Sequence, residues 1–354
     1  MKLLGGVRKS SALVIFAAAL ILCAGTSASC LADDDFDGIK VDFEHVATSS
    51  LLAFFTGNTY GTMTRSSCSD PQLGGFERRR AFILQCLPDA DELLLVDAGN
   101  LFAANCERER VKAHYIIAAF NMMAYDAVAL GPTDFVFGLD FLKTLAGKAK
   151  FPFICANLVD STTQEPIFDT VFYPETTAAT VCVTGVISMR HEDFIVDCTT
   201  DEAGERPVNL IDPLDALAAN FPATESTTNV IIVMAQMAFD EAMMAVDRFP
   251  EIDLLVISDR GRHDDLVRGS TYITDVGTKG KFFKGAALLP YDESPDLRFH
   301  VETFPIVEEI EHSYSMRRLY ERFLSGRKSL LPERLVQEPF IIDRRVYHDP
   351  EIHY

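Results

Sequence analysis

Short apolar runs alternate with amphipathic stretches from about residue 46 to residue 305. The runs LLAFF (51–55), ELLLVDA (92–98), AVAL (127–130), FPFICANL (151–158), TVCVTGVIS (180–188), NVIIVMAQ (229–236), DLLVISD (253–259) and GAALLPY (285–291) are rich in Val, Ile, Leu and Phe on both faces. Strands buried inside layered sheets read this way. Between them lie GGFERRRAFILQCL, ERVKAHYIIAAFNMMAY, DFLKTLAGKA, PLDALAANF and DEAMMAVDRF, which repeat apolar residues at helical spacing. The alternation predicts an α/β fold whose sheets are covered by helices.

After about residue 306 the pattern changes. VEEIEHSYSMRRLYERFLSG puts Val307, Ile310, Tyr314 and Phe323 or Leu324 near one helical face, with Gly326 as a natural stop. The remainder, to Tyr354, has three prolines and no clear period. The expectation is a C-terminal helix packed on the main domain and then an extended tail, with a partner-binding arm as the competing reading.

The N-terminus has a different character. Lys2, Arg8 and Lys9 precede the apolar SALVIFAAALILCAG, and small residues follow before CLADDD. That order predicts a secretory signal peptide over residues 1–32, cleaved after Ala32 or Ser29. A lipoprotein cysteine at Cys30 competes with it, although Ser27 stands where a Leu is expected. An uncleaved anchor is disfavoured because the run is short of the roughly 20 residues a span needs. The chain is therefore expected to be periplasmic or secreted, with no transmembrane span in its mature part.

Charge and cysteines narrow the classes further. The net charge is −20, and removing residues 1–32 makes it more negative by three. Such acidity repels phosphate backbones, so nucleic acid is not an expected partner. Six cysteines would remain after cleavage, with no CxxC among them. Cys182 and Cys198 would face each other if a hairpin turned near Arg190; buried free thiols are the alternative.

Loops at the C-terminal ends of strands collect function in α/β sheets. Here they offer Asn58-Thr59-Tyr60-Gly61, Asp97-Ala98-Gly99-Asn100, Pro132-Thr133-Asp134, Gln236, and the run Asp259 to Asp265, which includes Arg260, Gly261, Arg262 and His263. Asp97 precedes its glycine and resembles a metal ligand, but strand alternation directs it towards the sheet interior or a helix N-terminus, which favours a structural group. Asp259, His263, Asp264 and Asp265 are a candidate cation cluster, set against a plain solvated loop. Arg260 and Arg262 are candidate anion contacts. The other histidines do not cluster, and no P-loop or dinucleotide fingerprint is present.

These blocks, in this order, resemble the calcineurin-like metallophosphoesterases, and within them the N-terminal domain of periplasmic 5′-nucleotidases. The resemblance covers roughly residues 50–292. AFFTGNTYG resembles the strand ending in Asp-x-His-Gly, LGGFERRRAFI the Gly-Gly-x-x-Arg helix start, and LLLVDAGNLF the Asp-Ala-Gly-Asp segment. YDAVALGPTDFVFGLDFL resembles the Gly-Asn-His-Glu-Phe block, and FPFICANL the strand ending in Ser-Ala-Asn. VIIVMAQMAFDE, IDLLVISDRG and GTKGKFFKGAALL resemble the Ser-His-x-Gly, Gly-Gly-His-Ser-His and final glycine–lysine blocks. The resemblance implies a four-layer αββα sandwich over residues 33–305, and the residue pattern adds the C-terminal helical extension over 306–354. The length left after the last block is too short for the second domain of full-length 5′-nucleotidases, which is therefore not expected.

The family's chemistry uses two divalent metals about 3.5–4 Å apart. Carried over by position, the resemblance puts Asn58 and Tyr60 where the first-loop Asp and His stand, and Asn100 where the bridging Asp stands. Pro132 and Thr133 replace the Asn and catalytic His, Val136 the Asp that orients that His, Gln236 the fourth-loop His, and Asp259 and Gly261 the last His pair. The expectation is therefore a metal loop set without its metal chemistry, with no cofactor, acting by binding an unidentified protein or small molecule. Two rivals remain: a phosphoesterase rebuilt around Asp259, and an assembly protein working through its C-terminal tail.

Overall fold

The computed structural model describes residues 51–66, 72–86, 92–224, 230–259, 264–288, 298–307, 310 and 312–325. The expected signal peptide, the tail beyond 325 and residues 260–263 lie outside the described residues.

Two six-stranded sheets carry the fold. The first has the order β14-β13-β1-β2-β3-β4, built from β1 (Leu52–Thr56), β2 (Leu93–Asp97), β3 (Ala127–Ala129), β4 (Phe153–Ile154), β13 (Phe282–Leu288) and β14 (Phe299–Pro305). The second has the order β11-β12-β10-β9-β7-β6, from β6 (Val171–Phe172), β7 (Val181–Ile187), β9 (Val230–Gln236), β10 (Leu254–Ile257), β11 (Leu266–Arg268) and β12 (Thr271–Asp275). The central strands β1-β2-β3-β4 and β7-β9-β10-β12 pair in parallel, so their C-terminal ends share one edge of each sheet. A small antiparallel pair, β5 (Leu158–Asp160) and β8 (Val208–Leu210), lies beside them.

The apolar runs are buried on both faces because each sheet has two packed faces. Leu51, Ala53, Phe55, Leu94 and Val96 meet Val181, Val183, Ile232, Met234 and Val256 in the layer between the sheets. On the outer face of the first sheet, Leu52, Phe54 and Leu95 pack with α1 (Phe76–Cys86), α2 (Glu107–Met123) and α3 (Leu139–Ala146). On the outer face of the second, Val233 and Leu255 pack with α5 (Pro213–Thr224) and α6 (Phe239–Arg248). The result is helix, sheet, sheet, helix, the expected four-layer αββα sandwich.

Three expectations are corrected. FPFICANL is two strands in different sheets, because the backbone breaks at Cys155-Ala156-Asn157 and the buried Asn157 bonds the backbone of Ile187 and Ile211. Cys182 and Cys198 are free thiols: the segment after β7 is α4 (Glu192–Thr199), not the second arm of a hairpin, and β7 takes β6 as its antiparallel partner. The C-terminal helix, α7 (Tyr314–Leu324), starts later than the periodicity suggests, where the Ser313 hydroxyl caps the Met316 N–H. Its buried face is Met316, Leu319 and Phe323, while Tyr314 and Leu324 are 56% and 57% exposed. That face joins the same core as β1, with Phe323 edge-on to Tyr115 of α2. Among the described residues no helix is long and apolar enough to cross a membrane.

A candidate site closed by amides

The loops after β1 and β2 continue the parallel ladder past the strand ends. The N–H groups of Asn58, Tyr60 and Gly61 donate to the carbonyls of Gly99, Asn100 and Leu101 at 2.8–2.9 Å. To do so the chain turns left-handed at Asn58 (φ 52°), Tyr60 (φ 45°) and Asn100 (φ 58°). Asn tolerates that region; for a bulky Tyr it is strained backbone, held by the surrounding ladder.

Two buried carboxylates brace these loops. Asp134 accepts the N–H groups of Asn100 (2.9 Å), Leu101 (2.7 Å) and Gly131 (2.8 Å), tying the second and third strand ends together. Burial pushes its carboxyl up to about 7, against those three donors, which favour the ionised form. Asp97 accepts from Thr56 Oγ1 (2.6 Å) and the Gly99 N–H (2.8 Å), and burial raises it to about 6 against the Thr56 bond and the Arg79 charge. Asp97 is thus the inward structural group that strand alternation implies.

Asn58, Asn100 and Gln236 converge in the space between the sheet ends, all buried. Asn100 Nδ2 donates to Asn58 Oδ1 and to Gln236 Oε1, both at 2.9 Å, and lies 3.4 Å from the Tyr60 hydroxyl. Asn100 Oδ1 accepts from Thr133, through its N–H at 3.0 Å and its hydroxyl at 3.1 Å. Asn58 Nδ2 donates to the carbonyls of Gly277 (2.9 Å) and Asp259 (3.3 Å), and Gln236 Nε2 donates to the Ala98 carbonyl. Gly131 permits this arrangement, since a Cβ there would lie 2.6 Å from Asn100 Oδ1. Pro132, buried, opens the short 3-10 turn Pro132–Phe135 and presents no polar group, and Val136 is buried in the core beside it.

At the rim, Asp259 carries a carboxylate, and Arg190 faces it, Nη2 to Oδ1 3.0 Å. The proposed cluster of Asp259 with Asp264 and Asp265 does not come together. Asp265 instead accepts from Lys284 Nζ (2.9 and 3.0 Å) and Thr274 Oγ1 (2.6 Å), while Asp264 is exposed. Arg260, Gly261, Arg262 and His263 lie outside the described residues. No group of three or more His, Cys, Asp or Glu able to hold a metal ion occurs among the described residues.

Sequence reasoning does not single out Arg190 or Asn157, and it names Asp134 only as one of the strand-end loop residues. Arg190 follows β7, so the strand-end rule applied to that strand would have found it. Asp134 and Asn157 bond to backbone from distant segments, and nothing in the local pattern signals that.

No protein-family model matches the chain. The chain is 30% identical over 136 residues to a 2′,3′-cyclic-nucleotide 2′-phosphodiesterase/3′-nucleotidase of Haemophilus influenzae, covering 36% of this chain and 20% of that protein. It is 32% identical over 104 residues to the snake venom 5′-nucleotidase of Naja atra, covering 29% of this chain and 19% of the enzyme. The matched segment thus spans about one-fifth of these curated relatives. Among solved structures, a 5′-nucleotidase precursor from Thermus thermophilus superposes with a TM-score of 0.64 at 16% identity, covering 79% of this chain and 59% of that one. The calcineurin-like phosphoesterase YfkN of Bacillus subtilis gives 0.63 at 17% identity, covering 79% and 98%. The chain has the fold of the calcineurin-like metallophosphoesterases and resembles the 5′-nucleotidases among them.

Proposed function

We propose that this protein is an exported, non-catalytic relative of the 5′-nucleotidases that works by binding a protein or small-molecule ligand. On this reading Asn58, Tyr60, Asn100, Pro132, Thr133, Gln236, Asp259 and Gly261 stand where the fold's relatives hold two metals. One observation carries it: the convergent groups Asn58, Asn100 and Gln236 are neutral amides bonded to one another.

The donor set does not fit a pair of divalent cations. Such ions take carboxylate oxygens and imidazole nitrogens. Of the positions described, only Asp259 supplies either, and its carboxylate is paired with Arg190. A cluster of carboxylates without metal would repel itself, and amides relieve that cost while keeping shape. The reading of a phosphoesterase rebuilt around Asp259 is weakened by the same ion pair.

The test is metal content and hydrolysis on the purified full chain. After equilibration with Mn²⁺ and desalting, the expected result is almost no metal per chain and no turnover of 5′-AMP or 2′,3′-cyclic AMP. Close to two Mn²⁺ per chain, with metal-dependent hydrolysis, overturns the proposal.

A further inference from the structure

We infer that Asn100 is an internal replacement for the metal pair: its carboxamide joins the ends of the two sheets, and only a neutral side chain with two donors and an acceptor fits there. The inference rests on the non-catalytic reading and deepens it, by turning a lost ligand into a required group.

The reasoning is one of hydrogen-bond direction. Backbone groups fix the outer ends of the amide network; the Thr133 and Tyr60 hydroxyls at Asn100 can turn to donate or accept and so adapt to it. The Ala98 carbonyl can only accept, so Gln236 must turn its NH₂ toward it and its Oε1 toward Asn100. The carbonyls of Gly277 and Asp259 likewise take the NH₂ of Asn58, which leaves Asn58 Oδ1 facing Asn100. On the far side the Thr133 N–H can only donate, which fixes Asn100 Oδ1 on that side. Among groups of fixed direction, position 100 therefore meets two acceptors and one donor. Asparagine satisfies all three, whereas a carboxylate would set its charge against two amide oxygens.

Flipping the neighbours offers no escape, because each flip would turn an amide oxygen against a backbone carbonyl. At buried side chains such unpaired acceptors are costly. The two N–H bonds of Asn100 hold together Asn58 from the first sheet and Gln236 from the second. Divalent cations would draw oxygen ligands together by charge; here two amide protons draw the acceptors inward.

The first experiment compares thermal unfolding of the full-length wild type, Asn100→Asp and Asn100→Ala, each in EDTA and in excess Mn²⁺. The wild type is expected to melt at the same temperature in both. Asn100→Asp should melt roughly 4–10 °C lower in EDTA and regain much of that loss in Mn²⁺, because three oxygen ligands would then face one another. Asn100→Ala should be lowered and indifferent to Mn²⁺, since it removes the hub without adding a ligand. Asn100→Asp melting within about 1 °C of the wild type in EDTA overturns the inference. So does an equal Mn²⁺ response from both variants.

If neither variant folds, the wild type decides the matter by NMR. The Asn100 side-chain NH₂ should exchange slowly with solvent and keep its chemical shift on adding Zn²⁺; rapid exchange overturns the inference. Two metals bound by the wild type would sink the non-catalytic reading itself, whereas a silent wild type with an unaffected Asn100→Asp variant sinks only this inference.

Discussion

Arg190 Nη2 lies 3.0 Å from Asp259 Oδ1, joining the segment after β7 to the end of β10. On the proposed reading Asp259 is the one ordinary metal-ligand type at the described positions of the vestigial site, and a guanidinium faces it. The side chains are 37% and 23% exposed, so water screens the pair. Its worth to the fold is therefore small: Arg190→Ala should cost less than about 1 kcal/mol, read as a shift of the urea midpoint. A double-mutant cycle with Asp259→Ala should return a coupling of only a few tenths of a kcal/mol. A coupling near 3 kcal/mol would mean that the pair is shielded from solvent.

Asn157 is a second structural tie, fully buried. It donates to the carbonyls of Ile187 (2.7 Å) and Ile211 (3.0 Å) and accepts the Ile187 N–H (2.9 Å). Asn157→Ala strands three backbone groups and should cost roughly 2–4 kcal/mol in urea unfolding. A loss below about 0.5 kcal/mol would show that water replaces the side chain without penalty.

Gly99 sits at φ +82°, and a Cβ there would come within 2.4 Å of the Ala129 carbonyl. Gly99→Ala should therefore lower stability by about 2 kcal/mol or more, through backbone strain and displacement of Asn100. Melting unchanged from the wild type would rule that close approach out.

Stability should fall as pH rises toward neutrality. Asp134 has a folded value of about 7 against an ordinary 3.8, so its contribution is complete below about pH 3.8, falls steadily above that and is lost once pH has passed 7. Asp97, at about 6, adds a decline of the same sign slightly earlier. Between pH 6 and 7.5 Asp134 alone should remove about 1 kcal/mol. The check is the slope of unfolding free energy against pH, which should be shallower in Asp134→Asn whatever that variant's absolute stability. Identical slopes would show that the three N–H donors keep Asp134 ionised in the folded state.

Where the chain is shortened should matter sharply. The described core runs through α7, so a truncation that spares α7 leaves that described core whole. Cutting at residue 306 would strip Met316, Leu319 and Phe323 from the core and unfold the domain. Phe323→Ala alone should cost roughly 2–4 kcal/mol. A search for partners of the tail must therefore cut after 325, not at 306.

The chain's own pattern determined the layers. Apolar runs such as LLAFF and NVIIVMAQ, buried on both faces, require sheets with a packed layer on each side, and this requirement is local and additive over every residue of a strand. It also determined which residues stand at the strand ends, since Asn58, Asn100 and Gln236 follow directly from the strands that precede them. Chain position also separated Asp97 from the loop groups. Tertiary structure alone decided what those strand ends do. Asn100 meets Gln236 across 136 residues and Arg190 meets Asp259 across the second sheet, and the direction of each amide is set by backbone groups of remote loops. The same distinction explains the helical misreadings. DFIVDC suits a strand or a helix by local pattern, and β7 took β6 as its edge partner instead; α7 turned Met316, Leu319 and Phe323 inward because α2 offered Tyr115 to pack on. Hydrophobic pattern fixes how much surface must be buried, whereas the partner that buries it is a property of the assembled fold.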